Sequence, residues 1–209
     1  MRRPVREILL LLTTAAAALA VGCADRNDVE SDVRYRTVRA EPLRDTRKAQ
    51  DLNARGIEQL RAGDLDAAEK TFRQAIEADV SYGPAHNNLG KVYLQKKDLH
   101  PAALEFQAAI DRMPDHAGPL NNLAMTWEQA WVVDPQLGSL DRAIELYRRA
   151  VQLDAENIRY KANLARALDR RGDRTDELRK LIDQILQQDT RADWLIWARK
   201  LQARLGQGR

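Results

Sequence analysis

Asparagine recurs in this chain at regular intervals. Asn53, Asn87 and Asn121 stand 34 and 34 residues apart, and Asn88, Asn122 and Asn163 stand 34 and 41 apart. An asparagine amide carries two N–H donors and a carbonyl acceptor, yet the residue is only a middling helix former. Its recurrence on a fixed period therefore asks for a hydrogen-bonding reason. A row of such amides can grip the backbone of an extended peptide without reading its side chains. The same amides can equally bond one helix to the next, and the spacing alone leaves both roles open.

No other constellation points to catalysis. His86, His100 and His116 show no HxxxH or HExxH spacing, and Cys23, the only cysteine, cannot complete a metal set with them. A lone cysteine also rules out an internal disulfide framework. The glycines are isolated and form no phosphate loop. No serine is grouped with a histidine and an aspartate, and the carboxylates fall on helix faces or caps. The chain is expected to be no enzyme, with no cofactor and no small-molecule substrate. The formal charge is +3, from 34 basic and 31 acidic residues. Without residues 1–22 the balance is 31 against 30, which leaves no basic block suited to nucleic acid.

The surroundings of Cys23 give it a different role. Arg2, Arg3 and Arg6 precede a mostly apolar run from Ile8 to Val21, and small residues crowd the end of that run. This is the three-part layout of a secretory signal, and the run is shorter than the roughly 20 residues that cross a bilayer as a helix. The stretch Leu19-Ala20-Val21-Gly22-Cys23 resembles the lipobox of bacterial lipoproteins. The resemblance implies that Cys23 is lipidated on its sulfur, that residues 1–22 are removed as a signal peptide, and that Cys23 becomes the mature amino terminus. Two or three acyl chains, at ~0.8 kcal/mol per buried CH₂, hold a protein stably at a bilayer. Ala24 rather than Asp follows the cysteine. By similarity to enterobacterial sorting, this favours the periplasmic face of the outer membrane over the inner membrane. Residues 24–47 carry mixed charges without a helical period, and Pro42 interrupts them. Residues 23–48 thus read as a lipidated terminus and flexible tether.

Beyond the tether, the composition favours helix: aromatics are 5% of the chain and β-branched residues are sparse. The 34-residue period extends past the asparagines. Gly56 aligns with Gly90, Ala68 with Ala102, Phe72 with Phe106, Ala75 with Ala109 and Ile76 with Ile110. A third copy puts Ala124 in the glycine place, followed by Ala143, Tyr147 and Ala150, and is seven residues longer within Trp131–Ser139. A fourth puts Ala165 there, but Glu177, Leu181 and Gln184 replace its later Ala, aromatic and Ala. Each unit shows two helical periods around a turn. Gly63 with Asp64, and Gly172 with Asp173, read as a helix stop followed by the start of the next helix.

This pattern resembles the tetratricopeptide repeat. The resemblance implies an all-α, right-handed solenoid of helical hairpins over residues 49–191, with repeats near 49–82, 83–116, 117–157 and 158–191. Residues 192–209 then supply a capping helix, whose stripe is Trp194, Ile196, Trp197, Leu201 and Leu205. The first helix of each repeat would line a concave groove. Asn53, Asn87 and Asn121 fall at its fifth position, and Asn88, Asn122 and Asn163 at its sixth. The asparagine ladder of the glycosyltransferase branch looks similar. The carboxylate clamp of the chaperone-binding branch is not matched: Asn88 fits one place, but Asn53 and Ile57 stand where Lys and Asn are needed. Lys91, Arg159 and Arg166 would make part of the groove positive and favour an acidic segment. Trp131, Val132 and Val133 are expected to pack at the solenoid edge, with an exposed contact site as the alternative.

The resulting expectation is an exported, lipid-anchored scaffold or adaptor of the bacterial cell envelope. Its partners would be a protein or peptide held in the groove and a bilayer reached through acylated Cys23. The alternatives are a non-catalytic subunit of an envelope enzyme complex and a self-associating spacer.

Overall fold

The computed structural model describes residues 44–136, 138–188 and 191–206. The signal segment, Cys23 and the tether up to residue 43 lie outside the described residues. Among those described, the chain forms nine α-helices: α1 (Thr46–Arg61), α2 (Leu65–Ala78), α3 (Gly83–Lys96), α4 (Leu99–Arg112), α5 (Ala117–Val133), α6 (Leu140–Leu153), α7 (Ile158–Arg171), α8 (Asp176–Gln188) and α9 (Ala192–Gly206). Each helix packs on the next. In addition α1 touches α3 and α3 touches α5, so the odd-numbered helices stand side by side. Four helical hairpins are thereby stacked in a solenoid and followed by a single helix. No described helix is long and apolar enough to cross a membrane.

The repeat residues build the core. Ala68, Phe72, Ala75, Ala102, Phe106, Ala109, Ala124, Ala143, Tyr147, Ala150 and Ala165 are all fully buried. A Cβ placed on Gly56 would lie 2.6 Å from the Phe72 ring, and one on Gly90 would lie 2.7 Å from the Phe106 ring. The glycine is what lets the first helix of a repeat approach the aromatic of the second. In the fourth repeat aliphatic residues do this filling: Leu178, Leu181, Ile182 and Ile185 are buried.

α1 begins at Thr46, three residues ahead of the expected repeat start at 49. Asp45 caps it by accepting from the Lys48 amide at 3.0 Å. The buried Asp79 ties this start to the α2–α3 turn. Its carboxylate accepts from the Ser81 hydroxyl at 2.6 Å and the Thr46 hydroxyl at 2.7 Å, and these bonds hold its carboxyl below the usual range. The first turn follows expectation: Gly63 is left-handed at φ +80°, and Asp64 accepts from the Ala67 amide at 3.1 Å. The second does so only in part. Gly172 is left-handed at φ +89°, but Asp173 does not start α8. It is drawn off by Arg171, which donates to it at 2.9 and 2.6 Å, and α8 starts at Asp176 after Thr175.

The extra seven residues of the third repeat split between helix and turn. α5 has 17 residues where α3 and α7 have 14. Its added turn half-buries Trp131 against the core, while Val132 and Val133 stay exposed at 60% and 75%. The expected packing therefore holds for the tryptophan and fails for the two valines, which the helix turns outward. Gly138 brings the returning chain so close to α5 that a Cβ would overlap the backbone of Ala130 and Trp131.

α9 closes the stack on α8, with Ala198, Leu201 and Leu205 buried and Trp194 and Trp197 packed on the same core. Ile196 departs from the expected stripe and is 52% exposed. It lies two residues from Trp194, and helix positions two apart face different sides.

Candidate functional site

The odd-numbered helices bring the asparagines together. Asn88 Nδ2 donates to Asn53 Oδ1 at 2.8 Å, Asn122 Nδ2 to Asn87 Oδ1 at 2.9 Å, and Asn163 Nδ2 to Asn121 Oδ1 at 2.8 Å. Each bond joins the sixth position of one repeat to the fifth position of the repeat before it. All three run in the same direction, with the later repeat donating. An amide's orientation follows from its network, and Lys91 fixes the first pair. Its Nζ donates to Asn88 Oδ1 at 3.0 Å, so the Asn88 nitrogen must face Asn53. Asn53, Asn88 and Asn121 are buried; Asn87, Asn122 and Asn163 are half-buried.

These pairs use half of each amide. With its oxygen engaged, Asn53 or Asn87 still has an –NH₂ that no other group among the described residues binds. Asn121 spends its –NH₂ weakly, on Asn122 Oδ1 and Met125 Sδ, both at 3.5 Å. Asn53, Asn87 and Asn88 line a groove of about 580 Å³ that extends to Pro119 and Tyr160. The groove thus runs across the first helices of all four repeats. An amide N–H that is not paired within the chain is a donor available to a carbonyl or carboxylate.

The charged residues expected in the groove take different places. Lys91 is half-buried and bonds Asn88, a groove-lining residue, without itself lining the groove. Arg159 is exposed and makes no ion pair among the described residues. Arg166 turns to the cap instead, with its guanidinium 4.8 Å from the Trp194 ring centroid and 5.6 Å from that of Trp197. Its position on α7 matches that of Lys91 on α3, but the two α9 tryptophans offer it an aromatic face that α3 has no counterpart for.

Two carboxylates near the first helices are already satisfied. Glu128 accepts from Tyr147 at 2.8 Å and Arg170 at 2.7 Å, and Asp169 accepts from Arg204 at 3.0 Å. His86, in the place of the repeat's usual tryptophan, is buried, with its Nδ1 2.7 Å from Glu105. Among the described residues no three His, Cys, Asp or Glu side chains could hold a metal ion.

Several groove residues were not singled out from the sequence. Pro84, Met113, Gly118, Pro119, Tyr160, Asp115 and Asp154 all contribute to its walls. Pro84 and Gly118 occupy the second position of a first helix, one turn ahead of the asparagine positions. Met113, Asp115 and Asp154 sit in or beside turns, outside the first helices. A second, smaller hollow of about 300 Å³ lies between α4 and α5, lined by Leu99, Ala103, Trp127, Ala130 and Val133 among others.

Residues 53–117 match a family model of the tetratricopeptide repeat, and residues 136–157 match a second. The chain carries tetratricopeptide repeats. Among solved structures, a thermophilic tetratricopeptide protein of Thermus thermophilus aligns with a TM-score of 0.59 at 18% identity, over 77% of this chain and 84% of that one. The first tetratricopeptide domain of Spaghetti, bound to an HSP90 peptide, aligns with a TM-score of 0.57 at 16% identity, over 64% of this chain and 100% of that one. An O-GlcNAc transferase of Thermobaculum terrenum gives 0.58 at 20% identity, over 69% of this chain but only 27% of the enzyme. At these identities the likeness is one of fold. No curated protein sequence matches the chain.

Proposed function

We propose that this protein is a non-catalytic adaptor of the bacterial cell envelope. It is exported, anchored to a membrane through acylated Cys23, with the periplasmic face of the outer membrane favoured, and its groove holds an extended segment of a partner protein. The observation that carries the binding role is the row of amides Asn53, Asn87 and Asn88 on the groove wall, where Asn53 and Asn87 keep –NH₂ donors unused among the described residues. Donors spaced along a groove suit the carbonyls of an extended backbone. The Spaghetti domain, of the same fold, is a peptide-bound example. The envelope placement is supported by the basic, apolar and small-residue pattern that ends at Cys23.

Two experiments test the two halves separately. Cys23→Ser moves the protein from the membrane fraction to the soluble fraction of the native cell; unchanged fractionation overturns the anchor. For the groove, Gly118→Trp is the informative variant. A Cβ on Gly118 meets nothing nearer than the Tyr160 hydroxyl at 3.8 Å, so a side chain can start there without a clash, and Gly118 lines the groove that the indole is meant to occupy. Crosslinking in envelope extract captures a partner with the wild-type chain and loses it with Gly118→Trp at unchanged melting temperature. Equal capture by both sinks the groove reading.

A further inference from the structure

Among the described residues, Lys91 is a cation without a counter-ion. Its ammonium is half-buried on α3 and donates one hydrogen bond, to Asn88 Oδ1 at 3.0 Å; an amide oxygen carries no net charge to offset it. Burial pushes the Lys91 ammonium below the usual lysine range, and no carboxylate is near enough to pull it back up. Lys96, one and a half turns further along the same helix, shows the ordinary solution, bonding both Asp66 and Glu69. The two carboxylates on the groove walls do not serve Lys91. Asp154 accepts from Asn157 at 3.0 Å, and neither it nor Asp115 bonds the ammonium. A desolvated charge is costly unless it is paired. An ammonium has three donors, so Lys91 keeps two beyond the one given to Asn88.

We infer that Lys91 receives an Asp or Glu side chain of the bound segment, so that the groove selects an acidic peptide. The carboxylate takes the free ammonium donors, and the –NH₂ groups of Asn53 and Asn87 donate to backbone carbonyls on either side of it. The arrangement differs from a clamp of several cations on a chain terminus. It uses one charge set among neutral amides, and the Lys91–Asn88–Asn53 chain of hydrogen bonds holds that charge in place. This inference rests on the peptide-groove reading and adds the chemical class of the peptide.

Selection from a random dodecapeptide library displayed on phage separates the two. Wild-type protein, Gly118→Trp and Lys91→Met are panned in parallel; methionine keeps most of the lysine stem and removes the charge. The expected result is that wild type enriches peptides with an acidic residue at one aligned position, Gly118→Trp fails to enrich them, and Lys91→Met enriches groove-dependent peptides without that acidic position. A synthetic copy of the selected peptide with its aligned Glu changed to Gln binds wild type about tenfold more weakly, the loss of one charge-assisted hydrogen bond, and binds Lys91→Met with no such difference. Peptides that need the open groove but carry no acidic position, or that keep it with Lys91→Met, overturn the inference and leave the groove reading standing. Identical peptides from wild type and Gly118→Trp overturn both.

Discussion

Phe106→Ala lowers the stability of the solenoid by about 3–5 kcal/mol, and Gly90→Ala, on the opposite side of the same contact, lowers it by about 1–3 kcal/mol. The ring of Phe106 is fully buried between α3 and α5, among Leu89, Tyr93, Ala102 and Leu120. It has no free side to move toward. A methyl on Gly90 would sit 2.7 Å from two of its ring carbons, well inside van der Waals contact. α3 and α4 must then separate, or the ring must leave its position. If the ring is what punishes the methyl, the damage depends on the ring. Gly90→Ala combined with Phe106→Leu should therefore be more stable than the sum of the two single changes, because the branched aliphatic leaves room where the ring edge stood. Denaturant midpoints of the four chains check this. Strict additivity would mean that the glycine is needed for a reason other than close approach. The first repeat offers a repetition of the experiment, since Gly56 stands against Phe72 in the same way at 2.6 Å.

That contact was legible in the sequence because it is written in side-chain size at a fixed period. Glycine in the first helix, and an aromatic sixteen residues later, specify a close approach and its filler in each of the first two repeats. The asparagines were legible as columns but not as pairs. Their partners lie 35, 35 and 42 positions apart, one more than the repeat spacing, because side-by-side first helices meet along a diagonal. Two columns thus form three rungs that bond between helices, and Asn53, Asn87 and Asn88 of those rungs also line the groove. Arg166 shows a limit of a different kind. Its place in the repeat put it in the groove, but that rule holds only while the next first helix is an ordinary one. α9 presents Trp194 and Trp197 instead, and a guanidinium with no fixed partner takes the aromatic faces. Asp173 failed as a helix start for a similar reason, since a local rule about caps does not see Arg171 two residues away. Lys91 was picked out by position alone. That it is half-buried and unpaired depends on what α1 and α5 leave around it, and no pattern within one repeat records that.

Leu201→Ala tests whether α9 is a cap or a free interaction helix. Leu201 is fully buried, and α9 lays it with Ala198 and Leu205 over Leu178, Ile182 and Ile185. Truncating such a leucine costs about 2–5 kcal/mol. In a solenoid that cost is not spread evenly, because each repeat is held only by its neighbours. The fourth hairpin, α7 with α8, has the third repeat on one side and α9 on the other. Once α9 loosens, Ile182 and Ile185 face water and α8 has little else to hold it. α1 to α4 share no contact with α9 and keep their own core around Phe72 and Phe106. The expected result is therefore a gradient: amide hydrogen exchange speeds up in α8 and α7, less in α6, and not in α1–α4. Ile196→Ala is the matched control, since that side chain is 52% exposed and is not part of the core cluster that α9 covers. It should leave exchange in α7 and α8 unchanged. If Leu201→Ala leaves it unchanged as well, α9 does not cap the stack. Its two tryptophans would then have to be explained by what they bind rather than by what they cover.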